Sequence, residues 1–154
     1  MPKWGYSTKD LDISKTAKCA GREYRISPKA SVEICKAIKG MNIEDARKFL
    51  EKVIVGKRAV AYRHYKKETP HRRQENKFYA GKYPIKAARI IIQLIDELEA
   101  NAEYKGLNSE KLKIIHAAAH RGRKIKKYTP RAFGRASPSF DTLTHIELVS
   151  YETE

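Results

Sequence analysis

The sequence is poor in cysteine and has no long apolar run, and each shortage excludes a class of protein. Its 154 residues include only two cysteines, without CxxC spacing, which argues against a zinc site or disulfide framework and favours reduced thiols in the cytosol. The longest aliphatic run is Ile90-Ile91-Ile92, far too short for membrane insertion. The N-terminus has no apolar signal region either.

Acidic residues are missing from one long stretch. From Lys111 to Phe140 there are nine Lys or Arg and no Asp or Glu, and residues 57–89 carry eleven basic and two acidic side chains. These two stretches hold more than the whole formal net charge of +15. A merely solvated surface would mix the two signs. The segregation therefore predicts a basic side that meets a polyanion, either a nucleic acid or a membrane surface.

The acid-free stretch joins two strand-like segments, residues 111–117 and 144–151. In the first, Leu112, Ile114 and His116 are expected on one face. Between the segments, residues 121–139 have too few large apolar side chains to build a core of their own. We therefore predict a long basic β-hairpin that protrudes from the body and needs an anionic partner. A disordered basic loop that orders on binding is the alternative.

Three helical patterns precede this hairpin. Ser27-Pro28 begins the first, Asn42 caps the second, and Pro84 begins the longest. With a strand candidate at residues 19–26, the order predicts an α+β fold: three helices packed on a small three-stranded antiparallel sheet. The expected divisions are an extended N-terminal arm (1–18), a globular body (19–120 and 140–154) and a β-hairpin extension (121–139).

The second basic stretch, residues 57–82, interleaves cations with aromatic side chains. Cations meet phosphates and aromatic faces stack on bases, so the mixture suits RNA. In the alternative interpretation, Tyr62, Phe78 and Tyr79 pack on the core and the cations are simply solvated. The RNA-binding candidates in this stretch are Arg63, His64, Lys66, Lys67, Arg72 and Arg73.

One motif in the hairpin resembles a known family. Thr129-Pro-Arg-Ala-Phe-Gly-Arg135, followed by Thr144-His-Ile146, resembles the signature of the L-twenty-two family of universal large-subunit ribosomal proteins. Ile26–Lys29, Asn101–Glu103 and Lys111–Ala117 resemble that family as well, so the resemblance covers about Tyr24 to Tyr151. The long connection through residues 57–83 is similar to the archaeal and eukaryotic branch.

The resemblance implies a structural constituent of the cytoplasmic large ribosomal subunit. Such a protein binds 23S-type rRNA and neighbouring ribosomal proteins, supports assembly, and lines the nascent-peptide exit tunnel with its hairpin, where it meets the nascent polypeptide. No cofactor is expected beyond Mg²⁺ associated with the rRNA, and no homo-oligomer. The residues expected to thread the rRNA are Arg121, Arg123, Lys124, Lys126, Lys127 and Tyr128. The residues expected at the tunnel wall are Arg131, Ala132, Phe133, Gly134 and Arg135, with Phe133 in place of the lysine associated with bacterial members.

Two other classes of protein, a nuclease and a sequence-specific DNA binder, fit the sequence less well. A nuclease could use two histidines as general acid and base, but the hairpin has no carboxylate to hold a metal, and His116 and His145 are expected to pair structurally across the sheet. A sequence-specific DNA binder needs a basic recognition helix, whereas the helices carry acids, Glu33 among them, on faces expected to be exposed. The chain is thus predicted not to be an enzyme. A non-ribosomal RNA-binding or chaperone protein remains the alternative.

Overall fold

Three helices follow the first strand in the computed structural model, as the periodicity predicts. The structure describes residues 5–8, 11–72 and 78–153. The helices are α1 (Pro28–Ile38), α2 (Ile43–Ile54) and α3 (Ile85–Tyr104). Among the described helices, none combines the length and apolarity needed to cross a bilayer.

Local chemistry at the helix ends agrees with the sequence signals, with one exception. Ser27 Oγ accepts a hydrogen bond from the Ala30 N–H at 3.5 Å, and Pro28 is the first residue of α1. After α1 the chain turns at Gly40, whose φ of +89° a residue with a side chain rarely adopts. Asn42 occupies the N-cap position of α2, but its side chain makes no capping hydrogen bond; the residue instead bridges to Lys113.

The strands form one principal sheet and two short ladders. They are β1 (Thr16–Tyr24), β2 (Val60–Ala61), β3 (Gly81–Lys82), β4 (Leu112–Ile125), β5 (Tyr128–Pro130), β6 (Ala136–Pro138) and β7 (Asp141–Glu152). The principal sheet has the order β1-β7-β4, and both pairs are antiparallel. The predicted α+β fold, with three helices on a three-stranded antiparallel sheet, is confirmed.

The core lies between the helices and one face of the sheet. From α3, Ile91, Leu94 and Ile95 are fully buried, and they belong to one apolar cluster with Ile146 and Leu148 of β7. α3 packs on both β1 and α2, so its buried face is wider than a single stripe. Leu94 is fully buried within this wide face, and Ile92 at its edge is half-buried.

A β-bulge in β4 changes which side chains face the helices. Ile114 pairs with Ser150 and His116 with Val149, so Ile115 is an extra residue on β4. Beyond the bulge the alternation reverses, and His116 lies on the face away from the core. The expectation that His116 shares a face with Ile114 is therefore wrong. The expected pairing of His116 with His145 is also wrong, because the register sets His120 opposite His145.

Both cysteines belong to the core rather than to a reactive site. Cys19 and Cys35 are free, buried thiols. Burial raises the pKa of each thiol to about 12, and for Cys19 a hydrogen bond to Glu97 adds to the effect. Because the thiolate is the reactive form, both side chains are inert at neutral pH.

Candidate nucleic-acid interface

The first basic segment, residues 62–72 and 78–80 of the described chain, lies between β2 and β3, and the β2–β3 ladder closes its base. We call it the basic loop. Glu33 of α1 is almost fully buried beneath it. Its carboxylate accepts hydrogen bonds from three consecutive backbone N–H groups, those of Arg63 (3.2 Å), His64 (2.8 Å) and Tyr65 (2.9 Å). The expectation that Glu33 is an exposed acid is thus wrong, because the loop folds over it and supplies its hydrogen-bond donors.

The predicted RNA-binding cations of the basic loop are at the surface. Five of the six are exposed: Arg63, His64, Lys66, Lys67 and Arg72. Arg73 lies outside the described residues. With its backbone bound to Glu33, the loop presents its cations from a defined conformation rather than from a free chain.

The aromatic residues of the basic loop divide between the core and the surface. Tyr62 is only 5% exposed and packs in the core, whereas Tyr79 is 48% exposed and stacks on Phe78. The Arg63 guanidinium lies 5.1 Å from the centroid of the Phe78 ring. Cations and rings therefore pair within the protein itself, which holds the cations at fixed positions.

The other basic segment is the one predicted to form the hairpin. It contains the paired ends of β4 and β7 and the short β5–β6 ladder. The β4–β7 ladder continues to the pair Ile125–Asp141, and β5 pairs with β6 beyond it. This pairing is consistent with the predicted hairpin. No residue from 121 to 142 is buried. The predicted RNA-contacting residues all lie in this exposed part: Arg121, Arg123, Lys124, Lys126, Lys127 and Tyr128.

Asp141 connects the base of the hairpin to the body. Its Oδ2 accepts hydrogen bonds from Lys127 and from Arg25, both at 2.6 Å. These two cations hold the pKa of the Asp141 carboxyl below its usual range. Lys127, one of the predicted phosphate contacts, is therefore already engaged in an ion pair.

The hairpin tip is a tight five-residue turn, residues 131–135. The Arg131 N–H donates to the Arg135 carbonyl at 2.8 Å and closes the turn. Two consecutive residues, Phe133 (φ +57°) and Gly134 (φ +66°), adopt the left-handed conformation. The conformation is natural for glycine and strained for phenylalanine. The Phe133 side chain is nonetheless 100% exposed, so packing within the protein does not account for it.

The start of α1 lies next to both basic segments. Ser27 and Lys29 line one surface depression together with Lys67 and Lys82 of the basic-loop region. A second depression, at the hairpin base, is lined by Ser27, Arg25, Lys86, Phe140 and Asp141. Lys29, Lys82, Arg25 and Lys86 are therefore further candidates for the interface that were not predicted from the sequence. For Lys29, the sequence did offer a signal: Ser27-Pro28 begins a helix and so places Lys29 in the first turn of α1.

Three of the five histidines have structural roles. The buried Glu147 Oε1 lies 3.0 Å from His116 Nε2 and 3.1 Å from His120 Nε2. Ser7 also belongs to this group, because it donates hydrogen bonds to the Glu147 carboxylate through both its N–H and its hydroxyl. His145 Nδ1 accepts from the Glu23 N–H at 3.0 Å. Burial by itself would raise the pKa of the Glu147 carboxyl. The hydrogen bonds from Ser7, His116 and His120 outweigh this effect and lower the pKa to about 2.

Comparison with known sequences now defines the class of protein. Residues 19–150, most of the chain, match the family described as Ribosomal protein L22p/L17e. The chain therefore belongs to this family of ribosomal proteins. Members are structural components rather than enzymes, and the prediction that the chain is not an enzyme is confirmed.

The individual relatives are archaeal proteins of matching length. A large ribosomal subunit protein uL22 of Archaeoglobus fulgidus is 52% identical over 97% of both chains. The protein of the same name from Methanopyrus kandleri is 50% identical over 99% of both chains, and that of Thermofilum pendens is 46% identical over the full length of both. The predicted resemblance to the archaeal type is confirmed.

Proposed function

We propose that this chain is a structural constituent of the cytoplasmic large ribosomal subunit, where it binds 23S-type rRNA and neighbouring ribosomal proteins and supports assembly. The observation that carries the proposal is the pair of exposed basic segments that flank the start of α1 in a domain with large-subunit relatives. Two carboxylates near these segments are withdrawn from the surface charge, since Glu33 lies under the basic loop and Asp141 binds Lys127, whereas Glu68 of the basic loop is exposed. Backbone phosphates are the matching partner for such cations.

Lysine-to-RNA crosslinking in assembled large subunits tests this proposal. Lys66, Lys67, Lys124 and Lys126 are expected to crosslink to rRNA. Lys48 and Lys52, which are also exposed and lie on α2, are the matched controls and should crosslink weakly. Crosslinks concentrated on the helical lysines would reverse the orientation proposed for the domain.

We also propose that the hairpin tip lines the nascent-peptide exit tunnel and contacts the nascent polypeptide. Support comes from Phe133, a fully exposed aromatic side chain held at positive φ. Strain of this kind, of about 1–3 kcal/mol, persists where function uses it. Arg131 and Arg135 flank the ring and would add positive charge to the wall.

A further inference from the structure

The depression beside the start of α1 has the dimensions of a ligand site. Its volume is about 610 Å³, within the roughly 300–1,000 Å³ typical of small-molecule pockets. Three structural elements form its walls: the first turn of α1, the basic loop and the residues that join β3 to α3. His64 and Lys67 of its lining are predicted RNA contacts, but no particular nucleotide has been assigned to the cavity.

The lining combines aromatic rings with lysines. Tyr65 and Tyr83 line the cavity as half-buried residues. Lys29, Lys67 and Lys82 are exposed around it, and Lys29 Nζ lies 5.8 Å from the centroid of the Tyr65 ring. Aromatic faces that stack on a base, next to cations that meet its phosphates, are the features that bind single-stranded nucleic acid.

The cavity is pre-formed. Glu33 holds the backbone at Tyr65 from below at 2.9 Å, and the Tyr62 N–H donates to the Ala80 carbonyl at 3.0 Å across the base of the loop. Tyr62 is buried, and this burial raises the pKa of its hydroxyl to about 12, so that wall of the cavity stays neutral. A site organised before binding loses little entropy when its ligand enters.

One carboxylate, that of Glu68, also lines the cavity. It would repel a phosphate, but it can accept hydrogen bonds from the amino and imino groups of a base. Guanine presents two such donors side by side on its Watson–Crick edge. The lysines and Glu68 therefore match the two ends of a nucleotide.

We propose that this pocket binds a single unstacked nucleotide of the RNA, with its base against Tyr65 and Tyr83 and its phosphate beside Lys29, Lys67 and Lys82. Glu68 favours guanine over the other bases. The proposal rests on the proposed rRNA binding and specifies one contact within it: a base extruded from its stack, as sequence-selective RNA readers require.

The test is an NMR titration of the ¹⁵N-labelled full chain with each of the four 5′-mononucleotides, ribose 5-phosphate and inorganic phosphate. GMP is expected to shift the amide resonances around Tyr65 and Tyr83 and to bind at least tenfold more tightly than ribose 5-phosphate. Tyr65→Leu and Tyr83→Leu, which keep apolar bulk, should each weaken GMP binding at least fivefold through lost stacking. Glu68→Gln should reduce the preference for GMP over UMP.

Tyr104→Leu is the matched control, since Tyr104 is 93% exposed at the end of α3 and outside the pocket lining. It should leave the Kd for GMP unchanged. If ribose 5-phosphate or phosphate binds as tightly as GMP, the cavity is an anion site and the proposal is overturned. It is also overturned if no mononucleotide shifts these resonances, or if both leucine variants bind GMP normally. Salt-dependent binding of the chain to rRNA would survive all three results, which separates this failure from failure of the proposed function.

Discussion

Glu33 and Glu147 are buried carboxylates, and each organises a different part of the molecule. A buried charge is costly unless hydrogen bonds replace its hydration. Glu33 receives three backbone N–H groups and so shapes the basic loop. The Glu147 carboxylate is hydrogen-bonded to His116, His120 and Ser7. It therefore attaches Ser7 to the outer face of the sheet.

The Glu147 group predicts a defined loss of stability in acid. The unfolded carboxyl has a pKa near 4.5 and the folded one about 2, so the unfolded chain binds more protons between these values. The stabilisation is complete above about pH 4.5 and is lost as the pH falls towards 2. By linkage it amounts to about 3 kcal/mol at most.

Glu147→Gln should remove this part of the pH dependence and lower the thermal midpoint at neutral pH. Thermal melts from pH 2 to 7 measure both effects. Glu51→Gln, an exposed change on α2, is the control and should follow the wild-type profile. Parallel wild-type and Glu147→Gln profiles would show that the carboxylate is not a determinant of acid stability.

At the level of the elements, α3 is the central support of the fold. It contacts β1, β7, α1 and α2, and its apolar face is wider than one stripe. The β4–β7 hairpin is the opposite case, because it has no buried residue between 121 and 142. Stability therefore comes from the helix and the neighbouring part of the sheet, whereas the hairpin depends little on the core.

Truncating the buried face of α3 should destabilise the whole domain. Ile91 and Ile95 are both fully buried, so Ile91→Ala or Ile95→Ala should cost about 2–5 kcal/mol of unfolding free energy. That is a large share of a typical ~5–15 kcal/mol. Circular dichroism melts and urea titrations provide the measurement. Gln93→Ala, exposed on the same helix, should change stability by less than about 0.5 kcal/mol; equal losses for all three variants would contradict the assigned face.

Shortening the hairpin tip should leave the fold intact and alter the tunnel. Replacing residues 131–135 with Asn-Gly keeps the Pro130–Ala136 pair and gives a two-residue hairpin turn. The thermal midpoint should hardly move, because a shorter loop costs little closure entropy. If the tip lines the exit tunnel as proposed, nascent chains that stall against it should be released more readily, as a stalling reporter in cells would record.

Phe133→Ala separates the contribution of the ring from that of the flanking charges. It should alter stalling independently of salt and leave Arg131 and Arg135 in place. If either variant protein unfolds, or if subunit assembly collapses while stalling is unchanged, the tip is a structural anchor rather than a tunnel contact.

For the whole molecule, charge segregation is the dominant property. Residues 57–89 and 111–140 carry the excess cations, while α2 and α3 keep exposed acids such as Glu44, Asp45 and Asp96. Arg47 binds Asp96 and Glu99 at 2.6 Å and so neutralises part of that acidic side internally. RNA is therefore expected to approach from one side only.

The affinity for rRNA should depend steeply on salt. If about six to eight phosphates are neutralised, the slope of log K against log salt should be about −4 to −7. Neutralising Lys124, Lys126 and Lys127 together should reduce the magnitude of the slope by roughly two, because Lys127 is already paired with Asp141. Filter binding to a 23S-type rRNA transcript at several salt concentrations measures the slope.

The matched control neutralises Lys39, Lys48 and Lys52, which are exposed at the end of α1 and on α2. Together they should contribute less than about one unit to the slope. A wild-type slope near zero would reject electrostatic RNA binding. Equal reductions in the two triple variants would reject a one-sided interface.

Local sequence signals were enough to predict the three helices, the order of the main elements along the chain and the location of the positive charge. These follow from local rules: Ser27-Pro28 begins a helix, and glycines end helices. Charge along the chain is a property of composition and needs no tertiary contact. The motif around Phe133 likewise indicated the family, because a sequence motif is also recognised without any tertiary contact.

The face of β4 that carries His116, the burial of Glu33 and Glu147, and the position of Lys29 and Lys82 around one cavity depend on tertiary contacts. A single bulge reverses the side-chain alternation of a strand, and its position depends on the partner strand. Buried carboxylates are stable only where distant segments bring donors to them, as Tyr65 does for Glu33 across 32 positions. Contacts between residues so far apart in sequence have no local signal, because they arise when the core closes.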